Sequence, residues 1–513
     1  MQMQIISSEN SQAQSIVVAA LVRSFTPSIF DTTTDESVAA VWLNPREMEI
    51  PQVQALLVRG GKVLALGCPD VGAAGFLGLS AENLPTNSSQ WSDCPVCTGD
   101  PTESPVLVTY AEKGLGAWAG LAQRALCRFD FQNEWNTLGF GRISGGSGSP
   151  WSLACLVREG EAEPVAVLRR REDGIPLSWY AALREVGGGA ILWYNRLVGP
   201  VDSVEWRLVE RFFSDYRKDT LRCLPCLEEL PFGCPGMVMP RLDCDEAVAT
   251  ARPVFELYRS RGIPFTLAVK TGQLIAETEK ELLMDVVTSG GAVLAHSRTH
   301  LINWGKDPSE AFSEAIGSKN DIINLLPEGY SCNNAVSPFH TNRPWTFDVL
   351  NKANFTGVIS GIIHNDPEFL LARGGIPPFT DGSVVTHSQQ CMLHGDCPPS
   401  QVGVVHAQFL MRSGAAQAFG YLDHPFSPRY SYGWATEEAR ITIHKQVIDD
   451  INSTKGIWWV NGDALLSHIA CLSRTRIQLD VNETPRVSCA GEQPTWPLCV
   501  RYRGQLHKIM LAA

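Results

Sequence analysis

Residues 290–305 read GGAVLAHSRTHLINWG, an apolar run that stops at two histidines four residues apart, His296 and His300. The preceding IAETEKELLMDVVTSGG (275–291) has helical periodicity and ends in glycine, so the unit is helix, glycine stop, strand, reactive loop. Similar units lie on both sides. GMVMPRLDCDE (236–246) predicts an apolar strand ending in acids, followed by a helix over 246–260 with Val248, Ala251, Phe255 and Tyr258 on one face. PFTLAV, AVSPFH and TGVISGI read as strands; PSEAFSEAIGSKNDIINLL, RPWTFDVLNKANF and EEARITIHKQVIDDIN read as helices. GIWWVN and GDALLSHIACLS complete the series. Repeated βα units of this length predict a closed or nearly closed βα barrel over 231–475.

Working outward, a Cys/Pro-rich stretch, LRCLPCLEELPFGCPG (221–236), separates the barrel from a first region, residues 1–230. There SVAAVWLN, IPQVQALLVRGGKVLALG, EPVAVL, PLSWYAALREVGGGAILWYN and VEWRLVERFFSDYR suggest strands coupled to helices, hence a mostly parallel sheet. Residues 80–105 are polar and turn-rich, an expected insertion. Residues 476–513 change to short β-like runs, a small β appendage.

Composition bounds the function. The 513 residues are 44% hydrophobic with a formal net charge of −12, which argues against a surface that coats nucleic acid. No run reaches the ~20 apolar residues of a membrane span. The start lacks the basic, apolar pattern of a signal peptide, so a cytoplasmic location is expected, with export left open. The sequons at Asn87, Asn354, Asn452 and Asn482 then read as chance. Fifteen cysteines include two C-x-x-C pairs, Cys94/Cys97 and Cys223/Cys226, too far apart for a zinc ribbon; reduced thiols are expected.

Catalytic groups of a βα barrel sit where strands end. Three predicted ends carry reactive side chains: Asp243 and Asp245 in RLDCDE, His296 and His300 in AHSRTH, and Asp423 and His424 in AFGYLDHPFSPRY. Each alone has a plain structural reading. A D-x-D caps helices, two histidines at this spacing occur by chance, and His424 before proline bonds a loop backbone. Their order at successive strand ends favours a site.

HSRTH, followed later by LDH and preceded by the acidic LDCDE, resembles the polysaccharide deacetylases, the NodB-homology group of carbohydrate esterase family 4, over residues 235–475. The resemblance implies a distorted (β/α) barrel and a divalent metal, zinc first, with cobalt, nickel or manganese as alternatives. It also implies an N-acetylated polysaccharide as substrate. Asp245, His296 and His300 would be the ligands, Asp243 the base and His424 the acid. Ser297 and Thr299 would support the ligands. Amide hydrolysis needs an activated water and a polarised carbonyl together, which a metal on two imidazoles and a carboxylate provides.

Two departures stand out. The family has adjacent aspartates, whereas Cys244 separates them here. Residues i and i+2 share a strand face, so both aspartates reach the site while their division of roles stays open, and Cys244 is a second-choice ligand. The family's R-x-P-Y-like motif has no clean copy; Arg343 in SPFHTNRPW either orients the catalytic carboxylate or pairs at a helix start. His340, and His394 and Asp396 in HGD, are secondary candidates. Trp304 and Trp345 are core residues first and sugar platforms second. Alternatives to deacetylation are hydrolysis of another non-peptide C–N bond in a small molecule, or an inactive carbohydrate-binding or assembly protein.

The first region resembles a glutamine-amidotransferase-like, flavodoxin-type domain. Cys68 in VLALGCPD stands near the nucleophile's place, but no histidine precedes His296, so a Cys–His relay within this region is excluded and a structural thiol is expected. The region is expected to be non-catalytic, offering a contact for a protein partner or a second copy.

Overall fold

The computed structural model describes residues 2–7, 12–31, 37–84, 104–120, 123–126, 131–132, 142–143, 153–200, 203–272, 276–343, 345–362, 374–378, 380–389, 391–393, 400–427 and 431–510. Cys94, Cys97, Asn87, His394 and Asp396 lie outside them.

The N-terminal layer is an eight-stranded sheet. Its strands are β1 (Gln2–Ile6), β2 (Ser37–Leu43), β3 (Lys62–Leu66), β4 (Val106–Tyr110), β5 (Gln123–Ala125), β6 (Glu163–Arg170), β7 (Pro176–Val186) and β8 (Gly189–Tyr194). The order is β1-β2-β3-β8-β7-β6-β4-β5. Only the first four are parallel; the other half is antiparallel. The expected mostly parallel sheet is therefore half right. PLSWYAALREV, in a stretch that suggests a strand coupled to a helix, is a strand throughout. Gly187 and Gly188 both have positive φ (62° and 88°), which suits the tight turn of a hairpin. Helices α1 (Gln12–Phe25) and α3 (Ser203–Ser214) cover one face, and α2 (Ile50–Leu57) the other. This mixed topology departs from the mostly parallel sheet expected of an amidotransferase-like region.

The second layer begins after β9 (Cys226–Leu227) with β10 (Met237–Cys244), β11 (Thr266–Val269), β12 (Ala292–Ala295), β13 (Asn334–Val336), β14 (Gly357–Ile362), β15 (Val385–Gln389), β16 (Cys391–Met392) and β17 (Phe419–Asp423). Every neighbouring pair is parallel, in the order β15-β14-β13-β12-β11-β10-β17-β16. The two ends of this path, β15 and β16, are one residue apart in the chain. The sheet must therefore curl until its edges meet. The fold is α/β, with a distorted β/α barrel in its C-terminal half.

Helices α4 (Arg252–Ser260), α5 (Glu277–Thr288), α6 (Pro308–Leu325), α7 (Thr346–Lys352), α8 (Ser400–Gly414) and α9 (Glu437–Asn452) pack outside. Strand β18 (Trp458–Trp459) pairs with the start of β10, and α10 (Gly462–Ser473) follows. Leu465, Leu466, Ile469 and Ala470 of α10 join Met237, Met239, Ala268, Leu294 and Val336 in one buried cluster. Burying each large aliphatic side chain there contributes roughly 1.5–3 kcal/mol. This plug leaves the carboxyl ends of the strands free for chemistry.

The tail forms two hairpins, β19 (Thr475–Leu479) with β20 (Pro485–Cys489) and β21 (Leu498–Tyr502) with β22 (Gln505–Ile509). Strand β9 pairs with β21, so the tail is stitched to the segment between the layers rather than trailing from the barrel. A buried ion network, Arg207 with Glu210 and Glu228 and Arg501 with Glu228, fixes that junction. No helix among the described residues is long and apolar enough to cross a membrane.

Candidate metal centre

Strand alternation delivers the site. In β10, Val238, Leu242 and Cys244 pack under the outer helices, whereas Met237 and Met239 face the plug. Period two then turns Arg241 and Asp243 inward, with Asp245 just past the strand end. In β12, Ala292 and Leu294 face inward and Val293 and Ala295 outward, so His296 arrives inside. In β17, Phe419 and Tyr421 are outward, which places Asp423 outside and His424 inside. Asp423 accordingly accepts from Trp434 Nε1 (3.2 Å) and lies 3.0 Å from His444 Nε2 on α9, away from the site.

The inward groups converge. His296 Nε2 and His300 Nε2 are 3.0 Å apart, and Asp245 Oδ1 lies 3.2 Å from the first and 3.3 Å from the second. Donors set around a tetrahedral metal at 2.0–2.2 Å are ~3.3 Å from one another, so the spacing fits a first-row divalent cation. His296 Nδ1 is 2.9 Å from the Val336 carbonyl, which accepts its proton and orients Nε2 toward Asp245. Asp245 Oδ1 is buried yet takes no hydrogen bond. Two imidazole nitrogens and a carboxylate oxygen, each within 3.3 Å of the others, are donors that a cation satisfies. These three residues are the group of metal-binding type among the described residues.

Two further groups flank the triad. Arg241 Nη2 donates to Asp243 Oδ2 at 3.0 Å, and its Nε lies 2.8 Å from Oδ1; both side chains are buried. Opposite stands His340, its Nε2 3.5 Å from Asp243 Oδ2. His424 Nε2 is 3.7 Å from Asp245 Oδ2, which also accepts from Tyr432 Oη at 3.2 Å. The Tyr432 ring stacks on His424 (centroids 4.1 Å apart, planes 8°), and Phe339 tilts against His300 at 4.5 Å.

Burial alone would raise the Asp245 carboxyl, but the imidazoles of His296, His300 and His424 hold it below the usual carboxylate range. Burial, helped by the neighbouring His296, pushes His300 down to about 3, so it is the neutral ligand form at neutral pH. Burial also lowers His424 and His340. His296 moves the other way: burial lowers it, and the charges of Asp243 and Asp245 outweigh that.

Backbone strain marks the same loops. Ser297 (φ 58°), His300 (61°), Asn303 (56°), Trp304 (67°), Phe339 (53°), His340 (55°) and Tyr432 (49°) all occupy the left-handed region without being glycine. Each such residue costs of order 1–3 kcal/mol and persists because neighbours fix it. Glu314 on α6 is one of these fixers: its carboxylate accepts from the backbone N–H of Arg298 (2.9 Å) and Thr299 (2.7 Å) and from Thr299 Oγ1 (2.9 Å). Ser297 Oγ accepts from the His300 N–H at 2.9 Å.

Of the residues expected from sequence, Asp243, Asp245, His296, His300 and His424 come together, and His340 joins them. Cys244 does not; it is fully buried in the outer core. The guanidinium on Asp243 belongs to Arg241, two residues earlier on the same strand. Arg343 lies just before α7, its backbone N–H donating to Thr346 Oγ1 (2.9 Å). Trp304 is buried, its Nε1 donating to Ser337 Oγ (3.3 Å), and Trp345 packs against the outer core. Among the described residues, the aromatic rings packed against the site histidines are Phe339 and Tyr432. Tyr432 carried no motif, and Arg241 was legible only as an inward neighbour of Asp243.

No family model matches the chain, and no curated protein matches it. Solved structures similar to it include a polysaccharide deacetylase from Mycobacterium smegmatis (14% identity, TM-score 0.37, covering 52% of this chain and 98% of that one). The chitin deacetylase of Colletotrichum lindemuthianum (12% identity, TM-score 0.33) covers 46% of this chain and 89% of its own. Puue allantoinase (11%, TM-score 0.36) covers 47% and 92%.

Proposed function

We propose that the protein is a metal-dependent hydrolase that removes N-acetyl groups from a polysaccharide. The observation that carries this is the convergence of Asp245, His296 and His300 on one point, with a second carboxylate and a further histidine within reach of it. Asp245, His296 and His300 hold the metal. A divalent ion there supplies a Lewis acid for the amide carbonyl and makes water a better nucleophile. Asp243, aimed by Arg241, takes the proton of the attacking water on Oδ2, the oxygen that faces His340. His424, held flat by Tyr432, delivers a proton to the leaving sugar nitrogen. Zinc suits two imidazoles and one carboxylate, and cobalt, nickel or manganese suit the same donors.

The test is metal analysis of the purified protein combined with acetate release from N-acetylated glycan oligomers. One metal per chain and measurable acetate are expected. His296→Ala, His300→Ala and Asp245→Ala should each lose the metal and lower turnover by roughly 10³-fold or more. Full metal content and full activity in these variants would refute the site. Turnover of cyclic amides with no acetate release would move the reading to another C–N bond.

A further inference from the structure

Away from the site, α10 and the hairpin after it end with two thiols facing one another. Cys471 lies in the last turn of α10, and Cys489 is the last residue of β20. Their sulfurs are 3.3 Å apart. The frame around them is set by other contacts. Cys489 is the cross-strand partner of Thr475, whose Oγ1 donates to the Cys471 carbonyl at 2.8 Å. Arg474 Nε donates to the Ala490 carbonyl at 3.0 Å. A disulfide requires about 2.05 Å between sulfurs, so each side chain has only ~0.6 Å to travel.

We propose that Cys471 and Cys489 are a disulfide-forming pair, oxidised by a low-molecular-weight disulfide, which locks the β19–β20 hairpin to the plug helix. Cys489 is half-buried and Cys471 buried, and burial pushes the Cys471 thiol up to about 12. Cys489 is therefore the thiol that meets the oxidant first. Its thiolate attacks one sulfur of the small disulfide and expels one small thiolate, leaving a mixed disulfide. Cys471, giving up its proton, attacks Cys489 Sγ and expels the second. One protein S–S bond forms, one small-molecule S–S bond is reduced, and the two protein protons end on the two released thiols.

The hairpin is a strap, which makes the bond consequential. Ile477 in β19 donates from its N–H to Thr26 Oγ1 (3.2 Å) and Ser28 Oγ (3.3 Å), and its carbonyl accepts from Ser28 Oγ (2.8 Å). Arg476 pairs with Asp31. Oxidation therefore ties the barrel's plug to the segment following α1 in the N-terminal layer.

The experiment treats the reduced full-length chain with oxidised glutathione and maps its peptides without reductant. A peptide pair joined through Cys471 and Cys489, roughly 2 Da lighter than the two reduced peptides, is expected. Glutathione left on Cys489 with no cross-link, or Cys471 joined to another cysteine, would overturn the proposal. Tryptic cleavage after the exposed Arg486 should also slow several-fold on oxidation in the unmutated chain and not in Cys489→Ser; equal slowing in both would overturn it as well.

Discussion

Both layers present the carboxyl ends of parallel strands, yet Asn195 in one and Asp245 in the other are treated in opposite ways. At the end of β8, Asn195 is completely buried and fully engaged. Its Oδ1 accepts from the N–H of Ala154 (3.1 Å) and Cys155 (3.0 Å), and its Nδ2 donates to the carbonyls of Cys155 and Trp179 (2.9 Å each). At the ends of β10, β12 and β17, buried atoms are left over: Asp245 Oδ1 and the Nδ1 atoms of His340 and His424 take part in no hydrogen bond. A satisfied buried amide holds a fold together, whereas a buried carboxylate oxygen facing two imidazole nitrogens is set to take a ligand.

The strongest way to break this contrast is through Arg241. It is the buried countercharge of Asp243, so Arg241→Leu strands a carboxylate and should cost roughly 3–5 kcal/mol of stability in urea unfolding. Acetate release should fall with it. Arg343→Ala should leave Asp243 aimed, with activity within about threefold of the unmutated chain. The opposite ranking would return the positioning role to Arg343.

Next comes Asn195→Ala, which unpairs buried backbone groups and should destabilise by roughly 2–4 kcal/mol while metal content stays at the unmutated level. Metal loss in the folded variant would show the layers to be coupled. Cys244→Ala should cost only about 1–2 kcal/mol and leave metal binding unchanged, because that thiol sits in the outer core; a fall in metal affinity would make it a ligand.

The smallest effect concerns pH. Burial raises the Asp463 carboxyl to about 6, despite hydrogen bonds from Asn334 (2.8 Å) and Tyr330 (3.3 Å). A carboxyl raised on folding favours the native state below its unfolded value and loses that contribution as pH rises through the folded value. Asp463→Asn should therefore gain on the unmutated chain between pH 4 and 7, read from unfolding midpoints. Parallel midpoint curves would deny the shift.

Much of this was legible in the sequence. Alternation in VLAHS and RLDCD placed His296, Asp243 and Asp245 on one side, and it also set Cys244 outside once the helix-facing residues were known. Alternation equally sends Asp423 outward beside His424, a point that the LDH motif obscures. The apolar residues of PLSWYAALREV satisfy a helical period as well as a strand, so periodicity does not settle that segment; the following Gly187-Gly188 is the better signal. Phe339, His340 and Tyr432 depend on left-handed loop geometry. No periodicity encodes that, so their meeting around the triad was not predictable from spacing.

The closure of the barrel has a consequence for how the site comes into being. Its ligands belong to β10, β12 and the loop after β12, neighbours in both chain and sheet once β11 is laid between them. His424 follows β17, which lies against β10 although six strands separate the two in the chain. A chain emerging from its N-terminus can gather Asp245, His296 and His300 through short-range pairings, whereas His424 waits for a long-range pairing of β17 with β10. The pocket that holds is assembled first, and the group that delivers a proton comes with the closing strand.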